Sequence, residues 1–470
     1  MQTSNNDILS DMPVSKAIMK IGIPAISAML VMAIYNLVDT YFIGLLNDDL
    51  ALAAVSVAFP IMSMMTAIGQ VLGAGSAAAL GRALGSDKQE YSHQLVSTTI
   101  ILSIISGFLF MLMGFIWIEP IFRMFGTTDA VMGHALQYGY WMYVGAIFSI
   151  PNQSFNNLAR AQTQAILSMK ALSIGAISNI ILDPIFMFDL NGFGLNMGLE
   201  GASLATTVAQ AIGFLYIGSH FLRGKTGIPV KLNNFSLKDN ILPDIFKSGL
   251  PIGVTQMLSV IAVSFTNIAA IQFATSELEG ANFQSAYGLV LKINMMFMYS
   301  VMGYLQGYQP IASYTYGAKN KERFFEAFNC ALKFAVGFTL VMTVTIQLAA
   351  GPLIKLFTQN ADIIFMGTKL LRYNTILLVC LGLIFFGMLT FQATGNAKQG
   401  GIIALSRQGF LYLPILFILC SMMGLEGIYF AQPLADLITA GISISLLLKF
   451  RKDLETYFEP TIEDAEVAIN

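Results

Sequence analysis

The chain has 470 residues, of which 56% are hydrophobic and only 11% charged, at a mean hydropathy of +0.68. A soluble chain of this length folds as two or three domains with charged surfaces, which this composition excludes. The net charge of −2 is drawn from both signs, scattered in the gaps between apolar runs, so nothing points to nucleic acid.

The N-terminal stretch MQTSNNDILSDMP is polar and lacks the basic start of a signal peptide, so the first apolar segment is expected to remain as a helix. That segment, at about 16–45, exceeds the ~20 helical residues that a ~30 Å hydrocarbon core requires. It nevertheless carries Asp39, with Asn36 three residues and Tyr35 four residues before it on one helical face. An ionisable side chain at membrane depth costs at least ~2.5 kcal/mol on insertion scales, so it normally faces protein or a water-filled cavity and marks an ion path.

Further spans are expected at about 51–81, 93–118, 131–158, 167–189 and 199–222, then at 243–274, 284–315, 325–350, 366–394, 399–423 and 427–449. The fifth carries Asn179 and Asp183 one turn apart, followed by Pro184, which lacks an N–H and frees a carbonyl in the preceding turn. Thr206 and Thr207 lie near the start of the sixth. Two carboxylates, a carboxamide and a hydroxyl form an oxygen-only set. Such a set suits a hard cation such as Na⁺. It can equally share a proton, because burial and a neighbouring like charge both favour the neutral acid. The bland alternative is that the acids brace helices, for which the Leu-Asp-Pro turn has an obvious use.

The eighth span carries Lys292 and the twelfth Asp436, which can pair with each other or line a cavity. Met295, Met296, Phe297, Met298 and Tyr299 follow in the eighth, and Met62, Met64 and Met65 lie in the second. Methionine is unbranched and polarisable, so it adapts to varied ligands, although lipid-facing or core packing explains any single one. Gln70, Gln153, Asn156, Gln256, Lys292, Met295 and Gln306 are the candidates for touching substrate; Asn157 and Gln309 are further polar residues at membrane depth. Arg372 is expected to snorkel at a membrane face. Cys330, Cys380 and Cys420 lie far apart inside apolar runs and read as packing residues, with neither a metal motif nor a disulfide framework. His93, His134 and His220 are too scattered for a metal site.

Lys and Arg gather in alternate loops: Arg82 and Lys88, Arg160 and Lys170, the run from Arg223 to Lys247, Lys319 to Arg323, Lys398 and Arg407, and Lys449 to Lys452. The intervening loops are acidic, neutral or mixed, so both termini are expected in the cytoplasm. The expected organisation is an N-terminal tail at 1–15, an N-lobe at 16–222, a polar linker at 223–240, a C-lobe at 241–450 and an acidic tail at 451–470.

The halves repeat. KIGIP at Lys20–Pro24 returns as KSGLP at Lys247–Pro251, 227 residues on. Gly75, Gly85 and Glu90 return as Gly307, Gly317 and Glu322, 232 residues on, and GLEG at Gly198–Gly201 returns at Gly424–Gly427, 226 residues on. Six spans per copy give a parallel repeat, in which the site tends to lie near the midplane and access alternates by rocking. Asp39 matches Thr266 and Asp183 falls near Leu416, so the acids belong to one copy. Glu200 and Glu426 occupy the same place in both GLEG copies, where a helix N-terminus favours negative charge.

The YNLVDTYFIG run of the first span, RALG after the second, NIILDPIF in the fifth, GLEGASLAT entering the sixth and QGYQPIASYTYGAKN in the eighth resemble the multidrug and toxic compound extrusion (MATE) family, above all its MepA-like bacterial branch. The resemblance covers about the whole chain. It implies an all-α membrane protein of twelve transmembrane helices in two six-helix lobes. The activity it implies is antiport of organic, often cationic, drugs or other small amphipathic molecules against H⁺ or Na⁺, in a bacterial inner membrane, without a cofactor; the chain is expected to act as a monomer. It also implies a cation site at Asp39, Asn179, Asp183 and Thr206, to which Asn36 and Tyr35 are adjacent. The family's alternative acid on the tenth span has no match, since Leu370–Phe391 contains no Asp or Glu.

A major-facilitator carrier would show an acidic-basic motif after the second span, which GRALGSDK lacks. A flippase for lipid-linked sugars usually lines its cavity with cations, and only Lys292 qualifies. A membrane enzyme or an ATP-driven pump finds no support: the chain has no Walker motif, no HExxH, and no acid pair with a nucleophile.

Overall fold

The computed structural model describes residues 7–46, 48–189, 192–238 and 240–458. The start of the N-terminal tail and the acidic end of the C-terminal tail, 459–470, lie outside these residues.

The first six passes are α1 (Val14–Gly44), α2 (Asp49–Gly85), α3 (Gln89–Met124), α4 (Asp129–Ala161), α5 (Ala165–Met187) and α6 (Gly198–Leu222). The next three are α7 (Ile241–Gln272), α8 (Glu277–Gly317) and α9 (Lys321–Lys355). The tenth pass is broken into α10 (Ala361–Thr375) and α11 (Leu378–Ala393), bent by 50°. No proline stands at this bend. Instead Gln347 of α9 donates to the Arg372 carbonyl at 2.7 Å and competes with the helical ladder there. The eleventh pass is α12 (Ala397–Leu405), a wide turn at Ser406–Phe410, and α13 (Tyr412–Met423); the twelfth is α14 (Gly427–Tyr457).

By length and composition nine of the described helices can cross a bilayer, or ten with the bent pair counted as one span. The stretch Ala397–Tyr457 holds two passes, because the chain reverses at Gly424, whose φ of +64° suits glycine, and α13 and α14 pack together beyond it. With α4 the passes total twelve. That helix falls short on hydropathy because it buries Asn152, Asn156, Asn157 and Arg160 inside the protein.

The lobes meet along α1 against α8 and α2 against α7 and α8. Glycines carry the closest approaches: a Cβ on Gly307 would strike the Ile18 carbonyl, and one on Gly249 the Val71 carbonyl. Small residues let membrane helices approach this closely, where packing rather than water drives association. These contacts gather at one end of the bundle, beside the N-terminal segment, whose carbonyls at Ile8, Leu9 and Met12 accept from Arg323. At the other end Ile34 and Tyr41 of α1 and Ile268 and Ile271 of α7 are exposed.

Three of the arginines expected in loops are instead enclosed by helices. Arg82 sits in the last turn of α2, partly buried between the lobes. Arg160 is buried in the last turn of α4. Arg407 lies within the eleventh pass, at its wide turn. Arg82 and Arg160 stand just past the expected ends of their spans and Arg407 inside the expected eleventh, and each is enclosed by packing against other helices. Asp436 therefore does not pair with Lys292: its carboxylate accepts from Arg407 Nε at 2.9 Å and Gln432 Nε2 at 2.8 Å.

Candidate cation-binding site

Helix α5 places Asn179 and Asp183 on one face, directed at α6 and both almost wholly buried. The Asn179 amide donates to Asp183 Oδ1 at 3.0 Å and to Thr206 Oγ1 at 3.2 Å. This leaves Asn179 Oδ1 and Asp183 Oδ2 buried with no hydrogen-bond partner among the described residues. An unsatisfied buried acceptor costs ~1–3 kcal/mol, more when it is charged. Pro184 has no N–H, so the carbonyl four residues back loses its helical donor as well. The donor-poor cluster of oxygens is what a proton or a small hard cation would relieve.

Asp39 of α1 is half-buried and within electrostatic reach of Asp183, Tyr35 and Tyr138. A small pocket, with about 20 Å³ of room for water, opens beside the cluster. Its walls include Tyr35, Asn152, Asn179, Thr206 and Gln210, whereas the two carboxylates are not part of them. Asn36 is exposed, donates back to the Met32 carbonyl at 2.8 Å, and does not join the group. Thr207 is likewise used elsewhere, donating to the Trp141 carbonyl at 2.7 Å. Tyr138 of α4 is the addition that sequence reading missed. Nothing in its own neighbourhood, ALQYGYW, distinguishes it from an ordinary aromatic.

The candidates for touching substrate separate into two sets. Lys292, Met295 and Gln306 fall on one stripe of α8 together with Tyr299, which lies within electrostatic reach of Tyr35. That stripe therefore faces α1 across the gap between the lobes. Lys292 is exposed with no ion-pair partner among the described residues, Met295 is 39% exposed, and the Gln306 carbonyl oxygen is buried without a donor. Gln256 on α7 is half-buried. The second set, Gln70, Gln153 and Asn156, sits in the packing of α2 and α4. Gln70 accepts from Asn157 at 3.3 Å, Gln153 is packed against Gly69, and Asn156 is wholly enclosed.

Among the described residues no group of three or more His, Cys, Asp or Glu side chains is placed to hold a metal. His134 instead meets Asp48 at 3.0 Å. The two GLEG glutamates also differ in use: Glu200 accepts from Trp141 Nε1 at 2.9 Å, and Glu426 from Lys369 at 2.5 Å.

The sequence model of one protein family, described as MatE, matches residues 24–185 and again residues 256–418, one copy in each lobe. The chain belongs to the MatE family. It is a membrane transporter of that family and not an enzyme. Among curated proteins it is similar to the Multidrug export protein MepA of Staphylococcus aureus (strain MSSA476), with 28% identity over 450 residues, covering 94% of this chain and 96% of the relative. The protein of the same name from Staphylococcus haemolyticus (strain JCSC1435) is 26% identical over 442 residues, covering 93% and 94%. Among solved structures, a MATE crystallised in complex with MaD3S superposes at a TM-score of 0.88 with 26% identity, covering 96% of this chain and 98% of that one. A multidrug resistance MATE family transporter in an outward-facing conformation superposes at 0.87 with 27% identity, covering 96% and 98%.

Proposed function

We propose that this MatE chain is an efflux antiporter that expels bulky organic, often cationic, compounds in exchange for H⁺ or Na⁺ by alternating access. The observation that carries the reading is the pair of donor-less buried oxygens, Asn179 Oδ1 and Asp183 Oδ2, within reach of a second carboxylate, Asp39. The relatives' name, multidrug export protein, supports the drug side of the exchange.

The organisation that fits is an N-lobe at 16–222 and a C-lobe at 241–450, joined by a linker at 223–240 and flanked by tails at 1–15 and 451–470. The loop charges favour a bacterial inner membrane with both termini in the cytoplasm. The sealed end of the bundle is then the cytoplasmic end, and the conformation opens outward. In that state the site takes up a cation, α1 shifts, and drug leaves the Lys292 stripe. Turning inward releases the cation to the cytoplasm and admits drug. Coupling requires only that cation affinity differ between the two states. No cofactor enters the scheme, and the monomer suffices.

Drug efflux from vesicles, driven separately by an imposed pH gradient and by a Na⁺ gradient, identifies the ion. Asp39→Asn is expected to abolish the driven efflux while expression is unchanged; efflux equal to wild type would remove Asp39 from the mechanism.

A further inference from the structure

The pocket beside Asn179 does not end at the cation site. Its far wall is Gln210 of α6, whose side-chain oxygen accepts from Asn152 at 3.1 Å. Asn152 accepts from Asn156 at 3.0 Å, and Asn156 from Ser168 at 2.8 Å. Ser168 accepts from Arg160 Nη1 at 2.8 Å. A ladder of amides and a hydroxyl thus runs through the interior of the N-lobe, from the small water-sized space toward the end that carries the termini. Beyond Arg160 the polar chain continues: Gln162 Oε1 accepts from the Ile228 N–H of the linker at 3.0 Å, and Gln162 Nε2 and Thr163 Oγ1 are buried with no partner among the described residues.

Such a column poses a problem for an antiporter. A continuous run of polar groups from the proposed cation site to the far face is a place where water could enter and let protons or small cations pass without any rocking of the lobes, and the driving gradient would then run down. Arg160 interrupts the column. The residue is 93% buried, the other arm of its guanidinium donates to Asn157 Oδ1 at 2.9 Å, and among the described residues no carboxylate neutralises it. Arginine stays charged in proteins. A fixed positive charge in a narrow polar path is how channels exclude protons and cations.

We propose that Arg160 is an electrostatic plug that blocks cation leak through the N-lobe, so that cations held at Asp39 and Asp183 leave only when the lobes rock. This rests on the cation-site reading above. A brace between α4 and α5 would use the same hydrogen bonds, but a brace has no reason to control leak.

The test is cation leak through the full-length protein in liposomes without drug, read with an internal pH dye under an imposed pH gradient and with radioactive Na⁺ under a Na⁺ gradient. Arg160→Gln is expected to raise the leak about tenfold over wild type, and Arg160→Lys to stay tight. Ser168→Asp, which keeps the arginine but sets a carboxylate against it, is expected to leak as well. Adding Asp39→Asn to Arg160→Gln is expected to close the leak, because its entry is the cation site. Liposomes with Arg160→Gln and Ser168→Asp as tight as wild type would overturn the plug, as would a leak indifferent to Asp39→Asn. Driven drug efflux is read separately: if wild type couples efflux to a cation and these variants do not leak, the plug alone fails. Efflux that survives Asp39→Asn removes the underlying reading instead.

Discussion

Arg82 of α2 donates to the carbonyl of Ala393 at 3.1 Å, joining residues 311 positions apart across the two lobes. The same guanidinium reaches the Gln392 carbonyl and Ser248 Oγ, each at 3.3 Å. The carbonyls belong to the C-terminal turn of α11, the negative end of that helix, so a cation there is favourably placed against the helix dipole. Nearby, Tyr91 donates to Asp244 at 2.6 Å across the same seam. Arg82 is thus a latch on the closed end of the bundle.

Removing the latch should shift the balance between the two states. Hydrogen bonds from a charged donor contribute ~1.5–3 kcal/mol, equivalent to a roughly tenfold to hundredfold change in the populations. Arg82→Gln is expected to separate α2 from α11 at this end. Spin-label distances between the two helix ends check it: an unchanged distribution would show that the glycine contacts alone hold the seal.

The glycine seam gives a second, steric prediction. Gly307→Val would drive a side chain into the Ile18 carbonyl and the Gly22 backbone, whereas Gly288→Ala on the same helix meets nothing within 4 Å. Overpacking costs ~1–3 kcal/mol where neighbours can yield, and here the neighbour is backbone. Thermal unfolding in detergent is expected to fall for Gly307→Val and to be unchanged for Gly288→Ala; equal midpoints would refute the close approach.

At the proposed cation site, Asn179→Ala removes the amide that hydrogen-bonds both Asp183 and Thr206. A hydrogen bond to a carboxylate contributes ~1.5–3 kcal/mol, so the ion concentration for half-maximal efflux should rise about tenfold or more. Thr206→Ala touches the carboxylate only through Asn179 and should cost less, about fivefold, as for one neutral hydrogen bond. The reverse order of effects would mean that Thr206, not Asn179, organises the group.

In the C-lobe, Asp436→Leu strands the Arg407 charge, whose side chain is only 12% exposed. Breaking one partner of a buried pair costs ~3–5 kcal/mol, while replacing both with apolar residues is often neutral. The single variant is expected to lower the unfolding midpoint sharply, and Arg407→Met with Asp436→Leu to restore most of it. A double variant no better than the single one would show that the pair does more than neutralise itself.

Much of this molecule follows from short-range pattern. Hydropathy windows located the twelve passes, within a few residues at most ends, because crossing a bilayer demands ~20 consecutive apolar residues in one stretch of chain. The pairing of Asn179 with Asp183 follows from a spacing of four on a helix. The parallel repeat was visible because KIGIP, GLEG and the Gly75 and Gly85 positions return in order.

The fates of Arg82, Arg160 and Arg407 could not be read in that way. A charge in or beside an apolar window looks the same whether it ends in water or against another helix, and only packing brings the Ala393 carbonyl, Ser168 or Asp436 to meet it. Amino-acid order alone determined the membrane class, the passes and the acid-bearing turn. The folded arrangement decided which end is closed, which arginines are enclosed, and that Asp436 answers to Arg407, because burial and partnership are properties of space rather than of neighbourhood in the chain.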